Sequence, residues 1–311
     1  MKAIQIHQFK SPAEPQYGDV AEPQLNSGEV LIRNRAAGIN PIDWKTCSGG
    51  GAAPFIGELP FIPGWEFAGE IEQADAESAF KPGDRVLGFI RFPQAAGCFA
   101  EKIAAPAAEI APCPAALDAK TAAALPLAGL TAWQALFDKG NLQAGQRVLI
   151  LAAAGGVGHL AVQLAKQAGA YVIATASEKN HRFLQQLGAD ETLDYNSVDI
   201  SSTVSAIDLV LDGIGGDSGI AALQTLTPGG TLVTLPSVTK DAVIAAGEAL
   251  GLKVEPIRVE PNAVQLSELA QRCAAGALKL QLANSYPISR TAEAFAESAS
   301  GHVQGKIVIT L

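Results

Sequence analysis

The chain is poor in the residues that build metal cages and covalent staples. It holds 4 cysteines, 4 histidines and 1 methionine in 311 residues. Cys47, Cys98, Cys113 and Cys273 form no C-x-x-C pair, and His7, His159, His181 and His302 stand alone. A zinc cage needs several soft or imidazole ligands in one small volume, so local spacing predicts none. A disulfide framework is foreign to a chain of this size. The thiols therefore read as reduced, in a cytoplasmic compartment. Aromatic residues make up 6% of the chain and charged residues 17%. Cations are outnumbered, with 22 Lys and Arg against 31 Asp and Glu and a net charge of −9. That balance repels phosphate backbones and anionic lipid, so neither nucleic acid nor membrane is expected as a partner. No apolar run reaches the ~20 residues of a spanning helix. The opening MKAIQIHQFK is too short and polar for a secretory signal and reads as a first strand.

What is present describes a globular protein. Hydrophobic residues reach 48%, and 31 glycines imply many tight turns. At about 150 residues per domain the length suggests two domains. The first 110 residues read as strands and turns, with strands predicted at Lys2–Ile6, Glu29–Ala37, Glu66–Gln73, Arg85–Ile90 and Cys98–Ile103. Residues 105–124, rich in Ala and Pro, read as a crossover between domains. Beyond 125, short apolar runs alternate with helical patterns. The runs are Arg147–Ala152, Tyr171–Ala176, Glu191–Asp194, Ile207–Asp212, Thr231–Leu235 and Lys253–Val259. Such alternation predicts a parallel sheet covered on both faces. Six strands complete a doubly wound fold of the Rossmann type.

The segment Arg147–Gly158, RVLILAAAGGVG, fits A-x-G-x-x-G at Ala153, Gly155 and Gly158. It follows a predicted strand and opens a predicted helix. In that setting glycine lets the backbone approach a pyrophosphate, and the helix start offers free N–H groups. Ala154, Gly155, Gly156, Val157 and Gly158 are therefore candidate cofactor residues. Folds that prefer NAD place an acidic residue about 20 positions past the turn. Here Thr175, Ala176 and Ser177 occupy that place. Ser177, Lys179 and Arg182 suit a 2′-phosphate, which a carboxylate would repel, so NADP(H) is the predicted cofactor. Glu178 runs against that signal. Strand ends at Asp212-Gly213 and Leu235 should flank the nicotinamide, although Asp212 fits a turn residue equally well.

Five segments together resemble the medium-chain dehydrogenase/reductase superfamily, and within it the zinc-free quinone oxidoreductases of the zeta-crystallin-like branch. They are Gly38–Lys45 (GINPIDWK), Pro63–Gly69 (PGWEFAG), Lys81–Val86 (KPGDRV), Leu127–Trp133 (LAGLTAW) and the glycine turn. The resemblance implies an α/β architecture: a GroES-like, β-rich catalytic domain at 1–122 and 261–311, and a doubly wound, parallel-sheet Rossmann domain at 123–260. It places the active site in the cleft and suggests a homodimer, for which the sheet-edge strand Lys253–Val259 is a candidate. Where zinc enzymes of the superfamily carry a cysteine ligand, this chain has Asn40. Where they carry a histidine it has Trp65. Neither suits zinc, and without a Lewis acid alcohol oxidation is disfavoured.

By the same resemblance Asn40 lies by the nicotinamide ribose or in the substrate cleft, or is simply a buried turn residue. Asp43 and Lys45 reach similar places or are surface residues. Thr131 and Gly129 face the cofactor or pack a helix. Tyr195 stands near the adenine–phosphate end, and Lys306 reaches the phosphates or is an exposed strand lysine. Trp44, Phe55, Phe61, Trp65, Phe92 and Trp133 are candidates for an aromatic pocket, with at least half expected in the core. No proton donor stands out, which leaves water or a ribose-linked relay. The expected activity is NADPH-dependent reduction of a quinone or α,β-unsaturated carbonyl. The alternatives are an enoyl-thioester reductase and an NADPH-binding regulatory or structural protein with weak catalysis.

Overall fold

The computed structural model describes residues Met1–Leu311. Two compact units form, Met1–Leu130 with Glu260–Leu311, and Thr131–Val259. The division therefore falls after Leu130 and before Glu260, not at 122 and 261.

The first unit begins with an antiparallel ribbon of β1 (Lys2–Gln5) and β2 (Gln16–Asp19). β3 (Glu29–Ile39) is buried along most of its length and leads directly into α1 (Pro41–Cys47). Then come β4 (Glu66–Gln73), β5 (Arg85–Phe89), β6 (Lys102–Pro106) and β7 (Ile110–Pro112). β3 pairs antiparallel with β4 and β6, β4 with β5, and β5 with β7. The predicted strand Cys98–Ile103 starts later, at Lys102. The amides of Cys98 and Phe99 donate instead to the Gly64 and Pro63 carbonyls, at 3.1 and 2.9 Å, which draws them off the ladder. Residues 105–124 are not a crossover, because they supply β7 and α2 (Ala119–Ala124), which packs on β3 and β4. Asp118 caps α2 by accepting from the amides of Lys120 and Thr121. α3 (Pro126–Trp133) runs on into a π-helical stretch, Gln134–Lys139.

The second unit alternates strands and helices. β8 (Arg147–Ile150), α4 (Gly158–Gln167), β9 (Tyr171–Ala176), α5 (His181–Gln186) and β10 (Glu191–Asp194) form its first half. α6 (Ile200–Thr203), β11 (Ile207–Asp212), α7 (Gly216–Leu223), β12 (Leu226–Thr234), α8 (Lys240–Ala249) and β13 (Lys253–Pro256) form its second. All six strands are parallel, in the order β10-β9-β8-β11-β12-β13. Counted from β8 this is the 3-2-1-4-5-6 order of a dinucleotide fold, whose ligands sit beyond the strand ends at the β8/β11 switch. Leu149, Ile173, Val210 and Leu232 from four adjacent strands share one core. Burial on both faces explains why these strands read as unbroken apolar runs.

The chain then rejoins the first unit through α9 (Ala263–Ala274), β14 (Leu282–Pro287), α10 (Thr291–Ala299) and β15 (Lys306–Thr310). β15 lies between β14 and β3, with Ile307 opposite Ile39. That register sets Lys306 beside Asn40.

Candidate active site

The glycine turn joins β8 to α4. Ala152, just past β8, takes a φ of +51°, left-handed backbone that is costly for a residue with a Cβ. Its carbonyl accepts the Gly155 amide at 3.0 Å. A Cβ on Gly158 would stand 2.4 Å from the Ala152 oxygen and 2.6 Å from the Ala153 Cα, so only glycine lets the helix start this close to the strand. The amides of Gly156, Val157 and Gly158 donate to no other backbone group. Gly155, Gly156 and Val157 are half-buried, while Ala154 and Gly158 are buried. These unpaired donors at the start of a ten-residue helix fit a pyrophosphate. Strain of the kind seen at Ala152 collects at such ligand clamps.

Next to it, β9 ends at Ala176, and Ser177 opens a short 3-10 turn over Glu178–Asn180. No carboxylate stands at the strand end. Lys179, Arg182 and Tyr195 are exposed, and Ser177 is half-buried, with its hydroxyl accepting from the Asn180 amide at 3.2 Å. Glu178 is exposed as well. Thr131, within α3, is buried; Gly213, just past β11, is exposed, and Leu235, just past β12, is half-buried.

The Asp212 side chain is engaged by its own loop and by Thr234. It is fully buried, and one carboxylate oxygen accepts from the amides of Ile214 and Gly215 at 3.0 and 2.7 Å. The other accepts from the Thr234 hydroxyl at 2.9 Å. Its side chain folds the loop after β11 and ties it to β12.

The first unit holds a second polar cluster. Glu66 and Lys306 form an ion pair at 2.8 Å, and both are almost completely buried. Lys306 also donates to the Asn40 side-chain oxygen and, at 3.2 Å, to the Ile39 carbonyl. Asn40 Nδ2 donates to Glu66 at 2.6 Å, and the Leu127 amide meets the other Glu66 oxygen at 2.7 Å. Lys306 is therefore buried and not an exposed strand lysine: its three donors face three acceptors within the unit. Gly38 makes room, since a Cβ there would lie 2.0 Å from Glu66 Oε1. Asn40 also caps α1, and its backbone amide donates to the Asp43 carboxylate at 2.6 Å. Asp43 is fully buried and its Oδ1 has no partner. Burial holds its carboxyl well above the ordinary range, against the pull of the Asn40 amide, and neighbouring Glu66 adds to the rise.

The Asn40 amide is engaged with Glu66 and Lys306, and the Trp65 indole donates to the Gln94 carbonyl at 2.7 Å. No group of three or more His, Cys, Asp or Glu side chains is arranged to hold a metal. Of the aromatic candidates, Trp65 and Phe61 are core residues and Phe55 is exposed. Trp65 meets Phe92 edge-on at 5.5 Å. Trp44 donates to Ser298 at 3.2 Å.

Residues 26–115 match the alcohol dehydrogenase GroES-like domain and residues 187–309 the zinc-binding dehydrogenase domain. These define the class: a dehydrogenase/reductase with a GroES-like domain and a nucleotide-binding α/β domain. The chain belongs to the medium-chain dehydrogenase/reductase superfamily, in its quinone oxidoreductase branch. It is 33% identical to a chloroplastic quinone-oxidoreductase homolog of Spinacia oleracea, over 99% of this chain and 98% of that one. The solved quinone oxidoreductase of Coxiella burnetii is 36% identical with a TM-score of 0.96, covering 100% of this chain and 99% of its own. A mycobacterial relative solved in complex with NADPH is 28% identical with a TM-score of 0.85, and 100% of each chain is covered.

Sequence reasoning missed two residues of these clusters, Glu66 and His159, whose Nδ1 lies 2.9 Å from the Gly155 carbonyl. Glu66 lies in a quoted motif, but its role depends on a lysine at the far end of the chain. His159 directly follows the last turn glycine, four positions after Gly155. That helical spacing is the signal that would have found it.

Proposed function

We propose that the chain is a zinc-independent reductase that uses NADPH to reduce a quinone or an α,β-unsaturated carbonyl. The observation that carries this reading is the glycine turn, whose amides are unpaired, beside a strand end with no carboxylate. Bound NADPH supplies the hydride. The amides of Gly156, Val157 and Gly158 hold the pyrophosphate, with the start of α4 adding favourable dipole. Ser177, Lys179 and Arg182 hold the 2′-phosphate. Thr131, Ala154, Gly213, Leu235 and Tyr195 line the rest of the cofactor path, whereas the Asn40 side chain is spent on Glu66 and Lys306.

The donor set around Asn40 and Trp65 supports chemistry without a Lewis acid. A conjugated acceptor needs none, because its carbon is already electrophilic and hydrogen bonds to the carbonyl suffice. Asp43 is fully buried, and the proton that completes the reduction comes from water or a ribose-linked relay. The exposed edge strand β13 supports a homodimer, and four buried free thiols support a reducing, cytoplasmic setting.

The test follows NADPH absorbance with a quinone, a short enone, a trans-enoyl thioester and a simple alcohol. Turnover with the quinone or enone is expected. Turnover with the thioester alone would favour an enoyl-thioester reductase, and binding without turnover a regulatory protein. Turnover only with alcohol and NAD would overturn the proposal.

A further inference from the structure

His159 sits under the glycine turn and is fully buried. The Gly155 carbonyl accepts twice from this one residue: from its backbone amide at 3.1 Å and from the imidazole Nδ1 at 2.9 Å. A carbonyl oxygen only accepts, so the bonded nitrogen carries the proton. Around the ring, Phe183 of α5 stacks at 6.4 Å and 29°. Gln163, one turn further along α4, donates to the His159 carbonyl at 2.9 Å. The imidazole thus lies between the Gly155 carbonyl and the Phe183 ring, while Gln163 holds the His159 backbone.

In a planar trans peptide the C=O of one residue and the N–H of the next point in opposite directions. Two donors from α4 hold the Gly155 carbonyl towards the helix. The Gly156 N–H is thereby turned away from the helix, and it has no backbone acceptor. Glycine alone would leave this peptide free to rotate. The helix amide bond resists that rotation, and the imidazole adds a second restraint from the side.

We infer that His159 is a positioning residue for the cofactor: its Nδ1–H clamps the Gly155 carbonyl and so aims the Gly156 amide at the dinucleotide pyrophosphate. This rests on the cofactor reading above. His159 touches no phosphate itself and acts through the peptide it holds. Affinity for the whole dinucleotide depends on it, whereas the choice between NADPH and NADH does not.

Two variants separate the clamp from mere packing. His159→Asn keeps a donor at the same number of bonds from the backbone as Nδ1. His159→Leu has similar bulk and no donor. NADPH affinity is read from nucleotide fluorescence. His159→Leu should bind about tenfold more weakly, the loss of roughly one neutral hydrogen bond. His159→Asn should stay within about threefold of the parent, because the bond survives. Unchanged affinity in His159→Leu, or equal losses in both variants, would overturn the inference. A second measurement needs no variant and no cofactor: nitrogen-15 spectra of the parent report which ring nitrogen is protonated. Nδ1 is expected, and a proton on Nε2 refutes the clamp. A parent that binds no NADPH would overturn the cofactor reading instead, while the tautomer still reports the clamp.

Discussion

The turn at Gly155–Gly158 and the cluster around Glu66 treat their polar atoms in opposite ways. At the turn, three successive amides have no backbone acceptor, beside an alanine held in left-handed backbone. In the cluster, the Lys306 ammonium faces three acceptors and both Glu66 oxygens are occupied. Both regions lie in motifs that resemble functional segments of the same superfamily. An unpaired buried donor costs free energy unless something binds it, whereas a satisfied network needs nothing further. The difference leaves the turn open to a ligand and the cluster closed, and the Lys306 and Asp212 side chains fall on the closed side.

The largest expected effect breaks the cluster. Lys306→Met leaves Glu66 charged and buried without its cation, which should destabilise the protein by about 3–5 kcal/mol. Urea unfolding measures this, and the comparison fails if stability is unchanged while NADPH affinity collapses. The next breaks the turn. Gly158→Ala sets a Cβ against backbone atoms at 2.4 and 2.6 Å. Overpacking of about 1–3 kcal/mol should weaken NADPH binding by up to about a hundredfold. Calorimetric titration reads it.

A smaller effect sharpens the assignment at the end of β9. The double change Ser177→Ala and Lys179→Ala should weaken NADPH about tenfold and leave NADH unchanged. Equal losses for both would show that these side chains do not meet the 2′-phosphate. The last effect vanishes at its acid end. Asp43 has a folded-state pKa above its unfolded value of 3.8. Between the two values the folded protein binds more protons, so this group's contribution to stability falls as pH rises from about 4. Asp43→Asn should remove that fall. Thermal unfolding of both proteins from pH 4 to 8 checks this, and parallel curves would contradict it.

The parallel sheet was legible because its signals are local. β9, β10 and β11 are bounded by turn residues and filled by apolar runs, and their ends match the reading of Tyr171–Ala176, Glu191–Asp194 and Ile207–Asp212. α9 carries its signal as one apolar face, Leu266, Leu269, Ala270 and Cys273, at helical spacing. α1 and α2, of seven and six residues, are too short to show a period. The Glu66–Lys306 pair was not legible at all. It depends on β15 pairing with β3 from the opposite end of the chain, and nothing in local spacing reports a pairing that distant. Asp212 lay between these extremes. Its Asp-Gly-Ile-Gly sequence suits a turn in which the carboxylate accepts from amides two and three residues on.

The most direct test is hydrogen–deuterium exchange on the native protein with and without saturating NADPH. The account expects marked protection of the peptide spanning Gly155–His159, where the unpaired amides lie. Unchanged exchange there, with NADPH demonstrably bound, would contradict it.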